Sequence, residues 1–230
     1  MTLPTLALPK YRTKIKSTDK PISYRPFIVR EEKVLLVAME SKEYSMISDA
    51  IKHIVNECTF HKLDIDSLPV FDLTYLFLNI RAKSVGETVN PIMMCGNCNN
   101  NIPVEVDLTK IKIKTNDKHK TKIQLEGDVG CVMKYPTTNV DKENENFDKA
   151  TSSIANCIEM IYSGDEVFKT SELESQEVVD FIEDLSHSNF EKLIEFFDTM
   201  PKLSYDIEYT CDKCNEKNVR VLEGLGDFFL

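Results

Sequence analysis

The segments Pro91-Ile-Met-Met-Cys95-Gly-Asn-Cys98-Asn and Tyr205-Asp-Ile-Glu-Tyr-Thr-Cys211-Asp-Lys-Cys214-Asn decide how this chain folds, because each reads as half of one metal centre. In both, a strand-like run enters a Cys-x-x-Cys pair and a short polar turn follows. An alternating run then leads out, Ile102 to Asp107 in one case and Val219 to Leu222 in the other. A strand, a knuckle and a return strand are therefore expected twice. The two-residue gap lets both sulfurs of a pair reach one cation while backbone amides of the turn face them. Two such hairpins supply Cys95, Cys98, Cys211 and Cys214 as four soft ligands, the tetrahedral set that suits Zn²⁺. Four thiolates leave no open coordination position, so the expected role is structural and not hydrolytic. The site would join distant parts of the chain, with residues 108–204 inserted between the knuckles.

Other uses of these cysteines remain open. A redox dithiol would have to open a helix after a βαβ strand, whereas each knuckle here sits between strands. Two separate labile sites, or an iron–sulfur cluster, are further possibilities. Cys58, Cys131 and Cys157 fall on apolar stripes and read as buried core residues.

Outward from the knuckles, the fold class expected is α+β: helical segments packed with a small antiparallel, zinc-ribbon-like unit. Five stretches follow. Residues 1–20 read as an extended basic arm, since Pro4 and Pro9 punctuate polar sequence without a period. Residues 21–90 read as helical. One helix begins near Glu31, and Met46, Ile47, Ala50, Ile51, Ile54, Val55 and Cys58 form the stripe of a second. Residues 71–85 form a third that is apolar almost all round, as helices buried between others are. Residues 91–140 hold the first knuckle and a β-rich segment, with strand alternation at Lys110–Lys114 and Cys131–Tyr135. Residues 141–203 read as acidic helices. One carries Phe147, Ala150, Ile154, Cys157, Ile158 and Ile161, a second Val178, Val179, Ile182 and Leu185, and a third opens on a Ser188–Glu191 capping box. Residues 204–230 hold the second knuckle and a tail ending Phe228-Phe229-Leu230.

Composition excludes several function classes. Hydrophobic residues make up 42% and charged residues 29% of the 230, which is globular and not disordered. No apolar run of about 18 residues spans a membrane, and MTLPTLALPKYRTK lacks the organisation of a secretory signal. A cytosolic setting with reduced thiols is expected. The formal net charge of −10 conceals polarity. Residues 1–30 hold seven basic groups against Asp19, and residues 109–122 hold Lys110, Lys112, Lys114, Lys118, Lys120 and Lys122 against Asp117. Residues 141–198 are dominated by Asp and Glu. Such a chain can dock partners through complementary potentials, although acidic helices are equally explained as solvated faces. Nucleic-acid binding is not expected, because the overall sign is wrong and no aromatic-interleaved basic stripe exists. His53, His61, His119 and His187 have no triad or metal-pair neighbours, nucleophile and phosphate-loop motifs are absent, and glycines number seven. No enzyme and no small-molecule substrate are expected.

Two further stretches carry a resemblance. KPISYRPFIVREEKVLLVAMES (20–41) and LPVFDLTYLFLNIRAKSVGE (68–87), followed by the Cys95–Cys98 knuckle, resemble the T4-type bacteriophage baseplate protein family, and Lys134-Tyr135-Pro136-Thr137 extends the likeness. The match is best over residues 8–136 and looser in the acidic part and second knuckle. The resemblance implies a structural or assembly protein of a contractile-tail baseplate hub. Such a protein works in the host cytoplasm, with other baseplate proteins as partners, either staying in the virion tail or leaving as an assembly chaperone. It supplies no catalytic residue. A zinc-ribbon nucleic-acid or transcription factor is the alternative, weakened by the mixed charges Asp212, Lys213, Glu216 and Lys217 around the second knuckle. Partner contacts are expected at the chain ends, through Lys10, Arg12, Lys14, Lys16, Phe228 and Phe229.

Overall fold

A computed structural model describes residues 6–137 and 149–224. The chain divides into two compact units, Met1–Lys114 with Lys202–Leu230, and Thr115–Pro201. Both combine helices with small antiparallel sheets, as the α+β expectation requires.

Unit 1 opens with a hairpin of β1 (Tyr11–Lys14) and β2 (Pro21–Tyr24). The arm expected over residues 1–20 is, from Tyr11 on, part of this hairpin, and Ile15 within it is buried with Ile22 and Tyr24 of the second strand. Strands of four residues are too short to declare a period, so this hairpin escapes pattern reading. Its turn is tied down by Asp72, a fully buried carboxylate that accepts from the amides of Lys16 at 2.7 Å and Ser17 at 3.1 Å. Helices α1 (Val29–Ser41), α2 (Tyr44–Cys58) and α3 (Val70–Ser84) follow. The α2 stripe is buried from Ile47 to Cys58, while Met46 stays exposed. Helix α3 is buried all round because it divides two cores. Leu73, Leu76, Phe77 and Ile80 pack with α2 and the hairpin. Leu78 and Ala82 face a second cluster containing Val106, Leu203, Ile207 and Leu222.

That second cluster lies under small ladders: β3 (Thr88–Val89) on β6 (Val106–Asp107), and β4 (Ile92–Met94) on β5 (Asn101–Pro103). A three-stranded sheet completes it, with β12 (Lys202–Thr210) between β7 (Lys112–Lys114) and β13 (Lys217–Glu223). The strands expected on both sides of each knuckle are thus present.

Unit 2 is a four-stranded meander in the order β11 (Glu166–Lys169), β10 (Ile158–Ser163), β9 (Val129–Met133), β8 (Lys122–Glu126). Helices α4 (Lys149–Cys157), α5 (Ser175–Glu183) and α6 (His187–Thr199) pack with it around Ile154, Ile158, Leu193 and Phe196. Two expectations are corrected. The helical stripe drawn through Ile161 ends at Cys157, and Ile158–Ser163 is a strand paired on both sides. Ser186 stands at the start of α6, so Ser188 and Glu191 lie inside the helix and form no capping box. Phe147 lies outside the described residues. At Gly130 a Cβ would run into the Tyr162 hydroxyl and the Ile123 carbonyl, so only glycine lets that ring cross β9.

Candidate metal centre

The two knuckles are built alike. In the first, the Cys95 amide donates to the Asn100 carbonyl at 2.9 Å and the Asn99 amide to the Cys95 carbonyl at 3.0 Å. In the second, the Cys211 amide donates to Glu216 at 2.9 Å and the Asn215 amide to Cys211 at 3.0 Å. The turn back requires a left-handed residue after the second cysteine. Asn99 and Asn215 fill it, at φ 55° and 59°, as asparagine tolerates that region better than most side chains. The repeated Cys-x-x-Cys-Asn of the sequence therefore has a backbone cause.

The four sulfurs of Cys95, Cys98, Cys211 and Cys214 lie within 4.8 Å of one another and could hold a metal ion. Cys95 Sγ is 3.6 Å from Cys214 Sγ, and Cys98 Sγ is 3.6 Å from Cys211 Sγ, far beyond a disulfide bond. Cys95 and Cys211 are fully buried, while Cys98 and Cys214 are half-buried. Amides aim at the sulfurs. Those of Cys98 and Asn97 lower the Cys95 thiol to about 6. The Asn100 amide also favours the Cys98 thiolate, but burial and the surrounding sulfurs outweigh it and push that thiol up to about 12. At Cys211 burial works upward, yet the amides of Cys214 and Lys213 leave its pKa lowered. A cluster that favours some thiolates and penalises others is the electrostatic arrangement a cation resolves.

Cross-hairpin contacts align the two halves. Asn218 Oδ1 accepts from the Gly96 amide at 2.9 Å, and its Nδ2 is 3.7 Å from Cys95 Sγ. Asn100 Nδ2 donates to Asp212 at 2.8 Å, and the Tyr209 hydroxyl to the Met94 carbonyl at 2.9 Å. Ile102, Val104 and the Tyr209 ring pack around the cysteines. These supporting residues were not found by sequence reasoning, since their partners lie more than a hundred positions away and no spacing reveals them.

The basic residues expected at a partner interface are partly engaged within unit 1. Lys10 Nζ lies 5.1 Å over the Phe60 ring, Lys14 pairs with Asp19 at 3.1 Å, and Lys16 Nζ lies 5.9 Å over Tyr75. Arg12 stands in β1 opposite Ser23. Phe228 and Phe229 lie outside the described residues. No helix among the described residues is long and apolar enough to cross a membrane.

These observations define a class: an α+β protein of two units, one of them carrying a tetracysteine cluster that could hold a metal ion. The chain belongs to the T4 bacteriophage base plate protein family, whose family description matches residues 8–230 and thus takes in both knuckles. It is 22% identical over 220 residues to the baseplate hub assembly protein gp26 of Enterobacteria phage T4, covering 96% of this chain and 98% of that relative. No solved structure matches it.

Proposed function

We propose that this chain is a non-enzymatic structural or assembly protein of a contractile-tail phage baseplate hub, and that its four clustered cysteines hold one structural Zn²⁺. The similarity to a hub assembly protein along nearly the full length of both chains carries the role. On this reading its partners are other baseplate proteins, met in the host cytoplasm during tail assembly. The basic residues Lys10, Arg12, Lys14 and Lys16 and the terminal Phe228 and Phe229 contribute contacts. Affinity-tagged protein recovered from infected cells should enrich baseplate proteins, as read by mass spectrometry. Enrichment of nucleic acid or of unrelated host proteins alone would defeat the proposal. Comparing the recovered set with purified particles separates a resident component from a departing assembly factor.

The zinc reading rests on the fit of the donor set. A tetrahedral Zn–S₄ centre with bonds of about 2.3 Å has sulfur–sulfur edges of about 3.8 Å; here the Cys95–Cys214 and Cys98–Cys211 pairs stand at 3.6 Å and all four sulfurs lie within 4.8 Å of one another. Cys95 and Cys98 from one hairpin and Cys211 and Cys214 from the other would hold the ion. All four positions then belong to protein, so the metal's contribution is to folding: it cross-links segments that meet only in the native state. Purified protein should contain about one zinc per chain. Cys95→Ser or Cys214→Ser should cost several kcal/mol or prevent folding. Metal-free protein whose melting temperature is indifferent to chelators and to these substitutions would favour a plain thiol cluster instead.

A further inference from the structure

We propose that unit 2 carries a docking site for a carboxylate-rich peptide segment of a partner protein, in the pocket between residues 118–124 and α6. The site is separate from the cysteines and stands whether or not they hold zinc.

The pocket measures about 310 Å³. Lys118, Lys120 and Lys122 form one wall, and Lys192, Glu195 and Phe196 of α6 stand opposite. Four ammonium groups thus face a single carboxylate, in a chain whose net charge is −10. None of the ion pairs among the described residues engages Lys118, Lys120 or Lys122. Their neighbours in the same lysine run behave differently: Lys110 pairs with Asp107 at 3.6 Å and Lys114 with Asp206 at 2.7 Å. Lys122 Nζ lies 4.7 Å over the Tyr162 ring, a contact that leaves its charge in place, and positive charges without carboxylate partners gathered in a concavity repel one another and raise the local concentration of anions. Two lysines of the run, Lys110 and Lys114, are therefore paired within unit 1, while Lys118, Lys120 and Lys122 line the pocket without a carboxylate partner among the described residues.

The pocket is also held in place. Lys192 Nζ donates to the Leu125 carbonyl at 2.5 Å and to Asn189 Oδ1 at 2.9 Å, which fixes one positive charge. Phe196 is 2% exposed, and its ring lies 4.9 Å from that of His119 and 5.8 Å from that of Tyr135. The lysines therefore sit over a packed aromatic floor, and less ordering is required on binding.

The setting favours a short acidic peptide over a nucleic acid. The aromatic rings are engaged with one another below the lysines, leaving no platform for stacking bases. The chain's overall negative charge opposes a long polyanion yet permits a short acidic segment.

Fluorescence anisotropy of the full chain with fluorescein-labelled hexaglutamate tests this, with a six-residue oligothymidylate of similar charge as the competing arm. Hexaglutamate should bind at low ionic strength and weaken as salt is raised. K118Q/K120Q/K122Q should reduce its affinity about tenfold or more, and E195Q should increase it. K110Q/K112Q/K114Q, which removes equal charge from the part of the run outside the pocket, should change affinity less than about twofold. Circular dichroism melting should report the same fold for every variant. Absence of hexaglutamate binding, an equal loss in both triple variants, or tighter binding of the oligonucleotide would overturn the proposal.

Discussion

Burial lowers the pKa of His119, whose ring stacks on Tyr135 and lies tilted against Phe196. Its hydrogen bonding also fixes a tautomer. The Thr199 hydroxyl donates to the Glu195 carbonyl at 2.7 Å, so its oxygen accepts from His119 Nδ1 at 3.0 Å. The proton is then on Nδ1, and Nε2 is left buried without a partner. In the unfolded chain the same imidazole takes a proton near its ordinary value of about 6.5. Below that pH the unfolded state binds the extra proton, so folding stability falls as pH drops through about 6.5 and is recovered above it. Chemical denaturation between about pH 7.5 and 5.5 should show this slope in the wild type and a flatter one in His119→Phe, which keeps the ring stack. An unchanged slope would assign it to the carboxylates. A second residue-scale case is the ion pair of Arg25 and Glu31 at 2.6 Å, with side chains 15% and 5% exposed. Arg25 also reaches the Pro26 carbonyl, and Glu31 accepts from the Ile28 amide at 2.7 Å. Glu31→Ala strands the guanidinium, and urea titration should register a loss of about 3 kcal/mol.

Among elements, α3 has the most to lose from a single truncation. Leu76 is fully buried and Phe77 is 1% exposed, both packed against the α2 stripe. Leu76→Ala should destabilise by about 2–5 kcal/mol, whereas Val37→Ala on the exposed side of α1 should fall within about 0.5 kcal/mol. These helices were legible because fifteen residues at helical spacing carry several turns of evidence. The β elements were legible only where they alternate for long enough, as in β12, or where cysteines marked them. Ile158 and Ile161, three residues apart, fit a helical face and not strict strand alternation; a register shift between Ile158 and Met160 in the pairing with β9 lets both be buried in the strand. The basic stretch at 11–24 hides a hairpin because its buried side chains are few and its anchor, Asp72, lies over fifty residues away. The same asymmetry holds at the candidate metal centre. Four ligands stood out from local spacing, but Asn218, Asp212 and Tyr209, which align the hairpins, act across the fold.

On the scale of the whole molecule, unit 2 enters and leaves unit 1 at one place. Lys114 closes β7 and Lys202 opens β12, and these two residues are opposite each other in an antiparallel ladder, followed by Ile113 opposite Leu203 and Lys112 opposite Ser204. Residues opposed in this way have Cα atoms about 4.5–5.5 Å apart, the separation a two-residue hairpin turn closes. Residues 115–201 can therefore be replaced by Asn-Gly, whose type I′ turn suits the twist of the strands, without moving either knuckle. The cores that remain, around α2 with α3 and around Val106, Ile207 and Leu222, draw their buried side chains from unit 1 alone. The shortened chain should fold, bind about one zinc per molecule and melt cooperatively. It should not bind hexaglutamate, because the lysine pocket lies wholly in the excised part. A shortened chain that is insoluble or cannot retain metal would mean that unit 2 supports the folding of unit 1. One that retains both metal and the acidic peptide would place the peptide site elsewhere.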